Sequence, residues 1–196
     1  MVPLLFALSL FLTPAKFAST DVVQHAVQDF GPQTVATHQA SVQDPGAVAE
    51  RSTNELSDEE LALFNLINED RTSQGLRPVT LDPDLVAIAR AHSRDMSDRK
   101  YFDHYAPSPG PVTPMDRYLA FLGRRPEYAM VGENIYYRSV TDLMDQTANQ
   151  ADAAFMNSPG HRANILQPRF TKAGVGFFRA PNGQFWVTEM FLRDRP

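Results

Sequence analysis

The sequence predicts a mixed fold, of class α+β or a layered α/β/α sandwich, in which helices alternate with a small, mostly antiparallel sheet. Two observations favour this class. Segments with helical apolar spacing alternate with short extended segments, and the turn sequence Pro-Asn-Gly at 181–183 joins two of the latter as a hairpin. The length of 196 residues, 43% of them hydrophobic, is enough to bury one core.

Four main helices are predicted from their start signals and apolar spacing. Ser57 and Glu60 form a capping box for the first helix, and Gly75 is placed to end it. The second helix starts at Asp82-Pro83, since proline is favoured at the first helical position. The third helix starts at Thr113-Pro114 and ends near Gly123, and apolar residues predict a fourth over about 141–156.

Three segments are predicted as strands. The segment 131–137 is short and aromatic, and the segments 173–179 and 184–192 flank the predicted hairpin turn. Because a tight turn joins antiparallel neighbours, the predicted sheet is small and mostly antiparallel.

The N-terminal quarter of the chain does not show the pattern of a folded domain. Nine of the eleven residues in Val2–Leu12 are apolar, which predicts the central region of a secretory signal peptide, although no Lys or Arg precedes them. The run is too short to span a bilayer, and the alternative is a short buried helix. We predict a signal peptide over 1–18, a flexible tether over 19–55 and one domain over 56–196, in a secreted, periplasmic or extracellular protein.

Composition and charge exclude several classes of protein. The chain has no cysteine, which excludes thiol catalysis, cysteine-bound metals and disulfides. The formal net charge is −5, whereas domains that bind nucleic acid by neutralising phosphates are usually basic. We therefore expect no nucleic-acid partner and no transmembrane segment, and we predict a monomer.

Three imidazoles and one carboxylate in the predicted domain fit a divalent metal or acid–base chemistry. These residues are His92, His104, Glu133 and His161. Each has a structural alternative: His92 as a core residue, His104 as a helix cap, and Glu133 as a buried acceptor of hydrogen bonds. His161 follows a turn at 158–160 that opens a short helix, where it is either a cap or a site residue. The sequence has no His-Glu-x-x-His pair, so spacing alone does not define a metal site.

Five motifs occur in an order that resembles one protein family. They are Ala-Arg-x-His-Ser-x-Asp-Met (89–96), Tyr-Phe-x-His (101–104), Gly-Glu-Asn-Ile (132–135), Met-Asn-Ser-Pro-Gly-His-Arg-x-Asn-Ile-Leu (156–166) and Gly-Val-Gly (174–176). This order resembles the bacterial, SCP-like or YkwD-like branch of the CAP superfamily, which comprises the cysteine-rich secretory proteins, antigen 5 and the plant pathogenesis-related proteins. The resemblance covers 56–192.

The resemblance implies an α–β–α sandwich with an open cavity lined by two histidines and two glutamates, which in eukaryotic relatives can hold a divalent cation. His104 and Glu133 match the first histidine and the first glutamate. The other two fall near Ser158 and Trp186 and are not retained, so His161 is the candidate replacement ligand. The predicted cavity residues are His104, Glu133, His161, His92, Asn134 and Ser158, and the candidate ligands of zinc or calcium are His104, Glu133 and His161.

Three functional hypotheses remain open from the sequence. The favoured one is a non-catalytic module that binds a small amphipathic lipid, a cell-wall fragment or a peptide, as reported lipid binding among relatives implies. The alternative is a metal-dependent hydrolase, either a protease or a cell-wall amidase, with Glu133 as a metal ligand or general base. In the third, His104, Glu133 and Asn134 form a purely structural network. Both site hypotheses require His104 and Glu133 to converge on one water-accessible hollow.

Overall fold

The computed structural model describes residues 28–29, 55–139 and 147–195, and these ranges contain five helices and five strands. The helices are α1 (Asp58–Ser73), α2 (Pro83–Arg99), α3 (Pro114–Leu122), α4 (Thr147–Asn157) and α5 (Pro159–Ile165). The strands are β1 (Gln28–Asp29), β2 (Thr80–Leu81), β3 (Tyr128–Arg138), β4 (Lys172–Arg179) and β5 (Phe185–Arg195). No helix in the described ranges combines the length and hydropathy of a membrane-spanning segment.

Some of the sequence predictions concern residues outside the described ranges. These are the signal peptide over 1–18, most of the tether over 19–55, and the start of the fourth helix near Thr141. Within the predicted tether, Gln28–Asp29 form the short strand β1, which pairs with Tyr128–Ala129 of β3.

The predicted starts of α1 and α2 and the predicted ends of α1 and α3 are confirmed. The Ser57 hydroxyl accepts from the Glu60 amide at 3.2 Å, and the Glu60 carboxylate accepts from the Ser57 amide at 2.9 Å. The Asp82 carboxylate likewise caps the first amides of α2. Gly75 and Gly123, just beyond α1 and α3, have φ angles of +73° and +64°, a region that favours glycine.

The sheet has the order β1-β3-β5-β4-β2. All neighbouring pairs are antiparallel except β2 and β4, which are parallel. The predicted hairpin between β4 and β5 and the predicted mostly antiparallel sheet are therefore confirmed.

Two helical layers cover the two faces of the sheet. We call α1, α4 and α5 the first layer and α2 and α3 the second layer. Residues of β5 alternate between them: Val187 and Phe191 pack in the first layer, whereas Met190 and Leu192 pack in the second. This arrangement is the predicted α–β–α sandwich. The main partners in the first layer are Leu63, Ile67, Phe155 and Ile165, and in the second Leu85, Ile88, Met115 and Tyr118.

Two glycines of β4 allow α2 to pack closely against the sheet. A Cβ atom at Gly174 or Gly176 would overlap the backbone of α2. Ser93 of α2 uses this proximity, donating to the Gly176 carbonyl at 2.9 Å and hydrogen bonding with the Thr188 hydroxyl at 2.8 Å. The close packing fixes the position of the neighbouring His92 relative to the sheet.

One edge of β3 carries no strand partner along most of its length in the described part of the chain. β3 pairs with β5 over Tyr128–Arg138, but on its other side β1 pairs only with the first two residues. The remainder of this edge is where side chains from both helical layers can meet.

Candidate functional site

The candidate site lies at the unpaired edge of β3. His104, in the connection between α2 and α3, approaches this edge from the second layer, and His161 of α5 approaches it from the first. Their ring centroids are 6.5 Å apart. The fold therefore brings together two histidines that are far apart in the sequence.

The Glu133 carboxylate of β3 lies behind these histidines and is fully buried. Its Oε1 accepts from His104 Nδ1 at 2.8 Å, and its Oε2 accepts from Arg117 Nη2 at 2.6 Å. Burial alone would raise the pKa of this carboxyl. The charges of His92 and Arg117 and the hydrogen bond from His104 outweigh burial and hold its pKa well below the usual range.

Arg117 of α3 is a central residue of the site that the sequence analysis missed. Besides Glu133, its guanidinium donates to the His104 carbonyl at 3.0 Å and to the Val112 carbonyl at 3.1 Å. Arg117 therefore holds the connection that carries His104. A buried glutamate predicts a cationic partner, but the 18 Lys and Arg residues of the chain give no means of choosing which one from the sequence.

His92 of α2 is an interior neighbour of Glu133. It is fully buried, and its Nδ1 lies 3.0 Å from Glu133 Oε2, within ion-pair distance. Neither ring nitrogen has a well-aligned hydrogen-bond partner among the described residues. Its burial removes His92 from the surface that a ligand from solvent would reach first.

Asn134 lies on the other face of β3 from Glu133, inside the first layer. Its side chain donates to the His161 carbonyl at 3.1 Å and to Glu189 Oε2 at 2.8 Å, and accepts from Asn164 at 2.9 Å. Asn164 also donates to the Glu133 carbonyl at 3.0 Å. Asn134 thus joins α5 to the sheet and positions His161 from behind.

Ser158 stands at the N-terminal cap of α5. Its hydroxyl makes no capping hydrogen bond and is buried without a partner in the described part of the chain. The structure therefore places Ser158 beside the helix that carries His161, with its side-chain oxygen turned away from solvent.

His161 is the half-buried member of the site. Burial, and to a lesser degree the charge of His104, lower the pKa of His161 to about 4. Its imidazole is therefore neutral at physiological pH and offers one donor and one acceptor. The ring also makes an edge contact with Phe155, with centroids 5.2 Å apart.

Solvent reaches the site at the histidines and not at the carboxylate. His104 is 7% exposed, whereas Glu133 has no exposed surface because His92, His104 and Arg117 enclose it. The expectation that Glu133 lines a water-accessible hollow is therefore corrected. A cleft of about 210 Å³ lies elsewhere, lined by Asp82, Asp84, Tyr118, Leu122, Arg124, Lys172, Leu192 and Asp194.

The candidate metal set of His104, Glu133 and His161 does not fit this geometry. Both oxygens of Glu133 are already engaged, and the Arg117 guanidinium beside them would repel a cation. Among the described residues, no group of three or more His, Asp or Glu side chains is arranged to hold a metal ion. The two imidazoles that remain suit zinc better than calcium, because calcium takes oxygen ligands.

Comparisons with known proteins agree with the fold. Residues 64–191 match the model of the cysteine-rich secretory protein family, CAP. The uncharacterized protein YkwD of Bacillus subtilis (strain 168) is 39% identical over 133 residues, which are 68% of this chain and 46% of YkwD.

Two solved structures are similar. An extracellular protein containing a SCP domain from Bacillus anthracis str. Ames is 27% identical, with a TM-score of 0.56 over 79% of this chain and 45% of that one. An outer surface protein from Borrelia burgdorferi is 16% identical, with a TM-score of 0.60 over 72% of this chain and 96% of that one.

The chain spans less than half the length of the Bacillus subtilis relative. The matched range includes the elements that place His104, Glu133 and His161. This chain therefore belongs to the cysteine-rich secretory protein (CAP) family, in its bacterial YkwD-like branch.

Proposed function

We propose that this chain is a non-catalytic CAP-domain module that binds a small amphipathic, cell-wall or peptide ligand between His104 and His161. One observation carries the proposal. The two imidazoles meet at the unpaired edge of β3, with centroids 6.5 Å apart, while the carboxylate behind them is fully engaged by the protein itself.

The two histidines supply the polar end of the binding site. Because Glu133 is ionised, Nδ1 of His104 carries a hydrogen and Nε2 is left for another partner. His161 is neutral and both donates and accepts. Such a pair suits a hydroxyl, amide or carboxyl group of a ligand.

Two exposed aromatic residues flank His104 in the sequence and are proposed as an apolar rim of the site. Phe102 is 37% exposed and Tyr105 is 46% exposed, and the Phe102 ring lies 5.8 Å from that of Tyr137. Aromatic side chains of this kind pack against acyl chains, sugar faces and apolar side chains. A polar end next to an aromatic rim supports an amphipathic ligand.

The state of Glu133 favours binding over hydrolysis. A general base needs access to its substrate and a pKa near the working pH. The Glu133 carboxylate is sealed from solvent and its pKa is lowered well below the usual range, so it meets neither condition.

Equilibrium binding by the purified chain tests the proposal. We expect saturable uptake of a fluorescent fatty acid or a muramyl peptide, weakened about tenfold or more in His161→Ala, which corresponds to about 1.4 kcal/mol. Phe102→Ala should also weaken binding, whereas the matched control Phe121→Ala, which removes a 50% exposed ring on α3, should not.

Two outcomes would overturn the proposal in favour of the other hypotheses. Turnover of casein or peptidoglycan that His161→Ala abolishes would support a hydrolase. If His104→Ala loses about 1–3 kcal/mol of stability while binding of every probe is unchanged, the network is structural.

For a metal at this site we propose zinc, with His104 and His161 as two of its ligands and Glu133 orienting His104 through Nδ1. Zinc would add a Lewis-acidic anchor for an anionic ligand group. Thermal unfolding with and without ZnCl₂ tests this: the midpoint should rise in the native chain and not in His161→Ala. Equal shifts in both proteins would contradict it.

We propose that the protein is exported. The apolar run at Val2–Leu12 supports export, as do relatives whose names describe an extracellular protein and an outer surface protein. Expression of the full sequence in a bacterial host, followed by fractionation and intact-mass measurement, should recover the protein outside the cytoplasm without about its first 18 residues. Full-length protein confined to the cytoplasm would contradict this.

A further inference from the structure

A second buried polar cluster lies in the first layer, on the face of the sheet opposite the Glu133 carboxylate. Its acidic members come from three elements: Asp70 of α1, Asp152 of α4 and Glu189 of β5. Glu189 is fully buried, and the two aspartates are half-buried. None of the three belongs to the binding site proposed above.

Two of these carboxyl groups contact each other. The side chains of Asp70 and Asp152 are within hydrogen-bonding reach. Oδ2 of Asp70 and Oδ1 of Asp152 are buried, and no donor among the described residues serves them. Carboxylates only accept hydrogen bonds, so a direct hydrogen bond between the two groups requires one of them to be protonated.

The surroundings of the pair favour the protonated form. Glu69 adds a negative charge from α1, while Arg162 of α5 is a cation that acts on Asp70. Glu189 also faces the pair from β5, and the charges of the two aspartates help to raise its pKa. Burial, followed by the charge of Asp70, raises the pKa of Asp152 to about 7. The pair therefore gains or loses its shared proton near neutral pH.

Glu189 also has a buried carboxyl oxygen that no hydrogen-bond donor contacts among the described residues. Its Oε2 accepts from Asn134 at 2.8 Å, but its Oε1 is buried with no partner in the described ranges. Burial raises the pKa of Glu189 to about 8, against the opposing effect of the Asn134 hydrogen bond.

The position of the pair links its protonation to the binding site. Asp70 and Asp152 lie where α1 packs against α4. α4 ends at Asn157, and only Ser158 separates it from α5, which carries His161. Repulsion between α1 and α4 would therefore act on the helical unit that forms one wall of the site.

We propose that the Asp70–Asp152 pair is a proton-dependent clasp between α1 and α4, which opens when the shared proton is lost and loosens the α4–α5 unit that carries His161. This role goes beyond ligand binding and does not depend on the identity of the ligand.

Hydrogen exchange of the full chain, corrected for the intrinsic effect of pH, tests the clasp without any ligand. We expect amide protection in 147–165 to fall about tenfold between pH 6 and pH 8.5, while protection in α3 stays constant. In Asp152→Asn and in Asp70→Asn, an amide donor replaces the shared proton, so protection in 147–165 should stay high at both pH values.

Asp98→Asn, which changes an exposed aspartate of α2, serves as the matched control and should behave as the native chain does. The proposal fails if protection in the native chain does not depend on pH, or if the two asparagine variants lose protection as the native chain does. It also fails if millimolar Ca²⁺ restores protection at pH 8.5, because the pair would then be a cation site. Loss of ligand binding in His161→Ala leaves these outcomes unchanged, so the two proposals are tested separately.

Discussion

Glu133 and Glu189 are both fully buried, they lie on adjacent strands, and they are opposite in charge state. Glu133 faces the second layer, where a guanidinium and two imidazoles surround it and lower its pKa. Glu189 faces the first layer, where Asn134 is its one hydrogen-bond partner among the described residues and burial raises its pKa to about 8.

Burial alone does not set the charge of a carboxyl group. Desolvation penalises both glutamates, and the number and charge of the partners decide which one ionises. The ionised Glu133 orients His104 at the edge of the sheet, whereas the neutral Glu189 belongs to the acidic cluster behind His161. Each glutamate thus acts on a different wall of the proposed site.

The largest expected effect comes from neutralising the ionised glutamate. Glu133→Gln should lower the free energy of unfolding by about 3–5 kcal/mol, because it leaves the Arg117 charge buried without its carboxylate. Urea denaturation at pH 7 measures this, with the exposed Glu127→Gln as a control expected within about 0.5 kcal/mol of the native chain. A loss below about 1 kcal/mol would mean that Glu133 is not ionised in the folded protein.

An intermediate effect is expected at Asn134, which hydrogen bonds to Glu189 and, through Asn164, is linked to the backbone of Glu133. Asn134→Ala removes the donor to Glu189 and to the His161 carbonyl, and it removes one of the two acceptors of Asn164. We expect a loss of about 1–3 kcal/mol, measured by urea denaturation. An unchanged midpoint would show that solvent satisfies these groups and that Asn134 does not connect the layers.

The smallest effect, and one of opposite sign, is expected at the neutral glutamate. The pKa of Glu189 in the folded protein, about 8, exceeds the usual 4.5, so the folded state binds more protons and native stability falls as pH rises from 4.5 through 8. Glu189→Gln should be near neutral at pH 5 and should be stabilising at pH 9, where the native side chain is charged and buried. Urea denaturation at both pH values measures this, and a difference independent of pH would contradict it.

Glu133→Gln tests the opposite dependence of stability on pH. The pKa of Glu133 is lowered, so its stabilisation is present above pH 4.5 and is lost as pH falls through its folded-state pKa. Acid unfolding of the native chain should therefore be steeper than that of Glu133→Gln. Identical slopes would remove the contrast between the two glutamates.

Features that depend on neighbouring residues were predictable from the sequence. The capping box of Ser57 and Glu60 places the start of α1, and the turn at 181–183 places the hairpin, because both act through hydrogen bonds or backbone preferences within a few residues. The motif order identified the family, and with it the meeting of His104 and Glu133. Arg117 and the acidic cluster were not predictable, because their partners lie on other elements of the fold.

The layered sandwich, the ends of most helices and the histidines at the edge of β3 could be predicted from the amino-acid sequence. That Glu133 is sealed behind these histidines as an ion, and that Glu189, one strand away, is held as an acid, could be seen only in the folded protein. The ionisation of a buried group depends on the charges and donors that the fold assembles around it, and these come from residues distant in the chain.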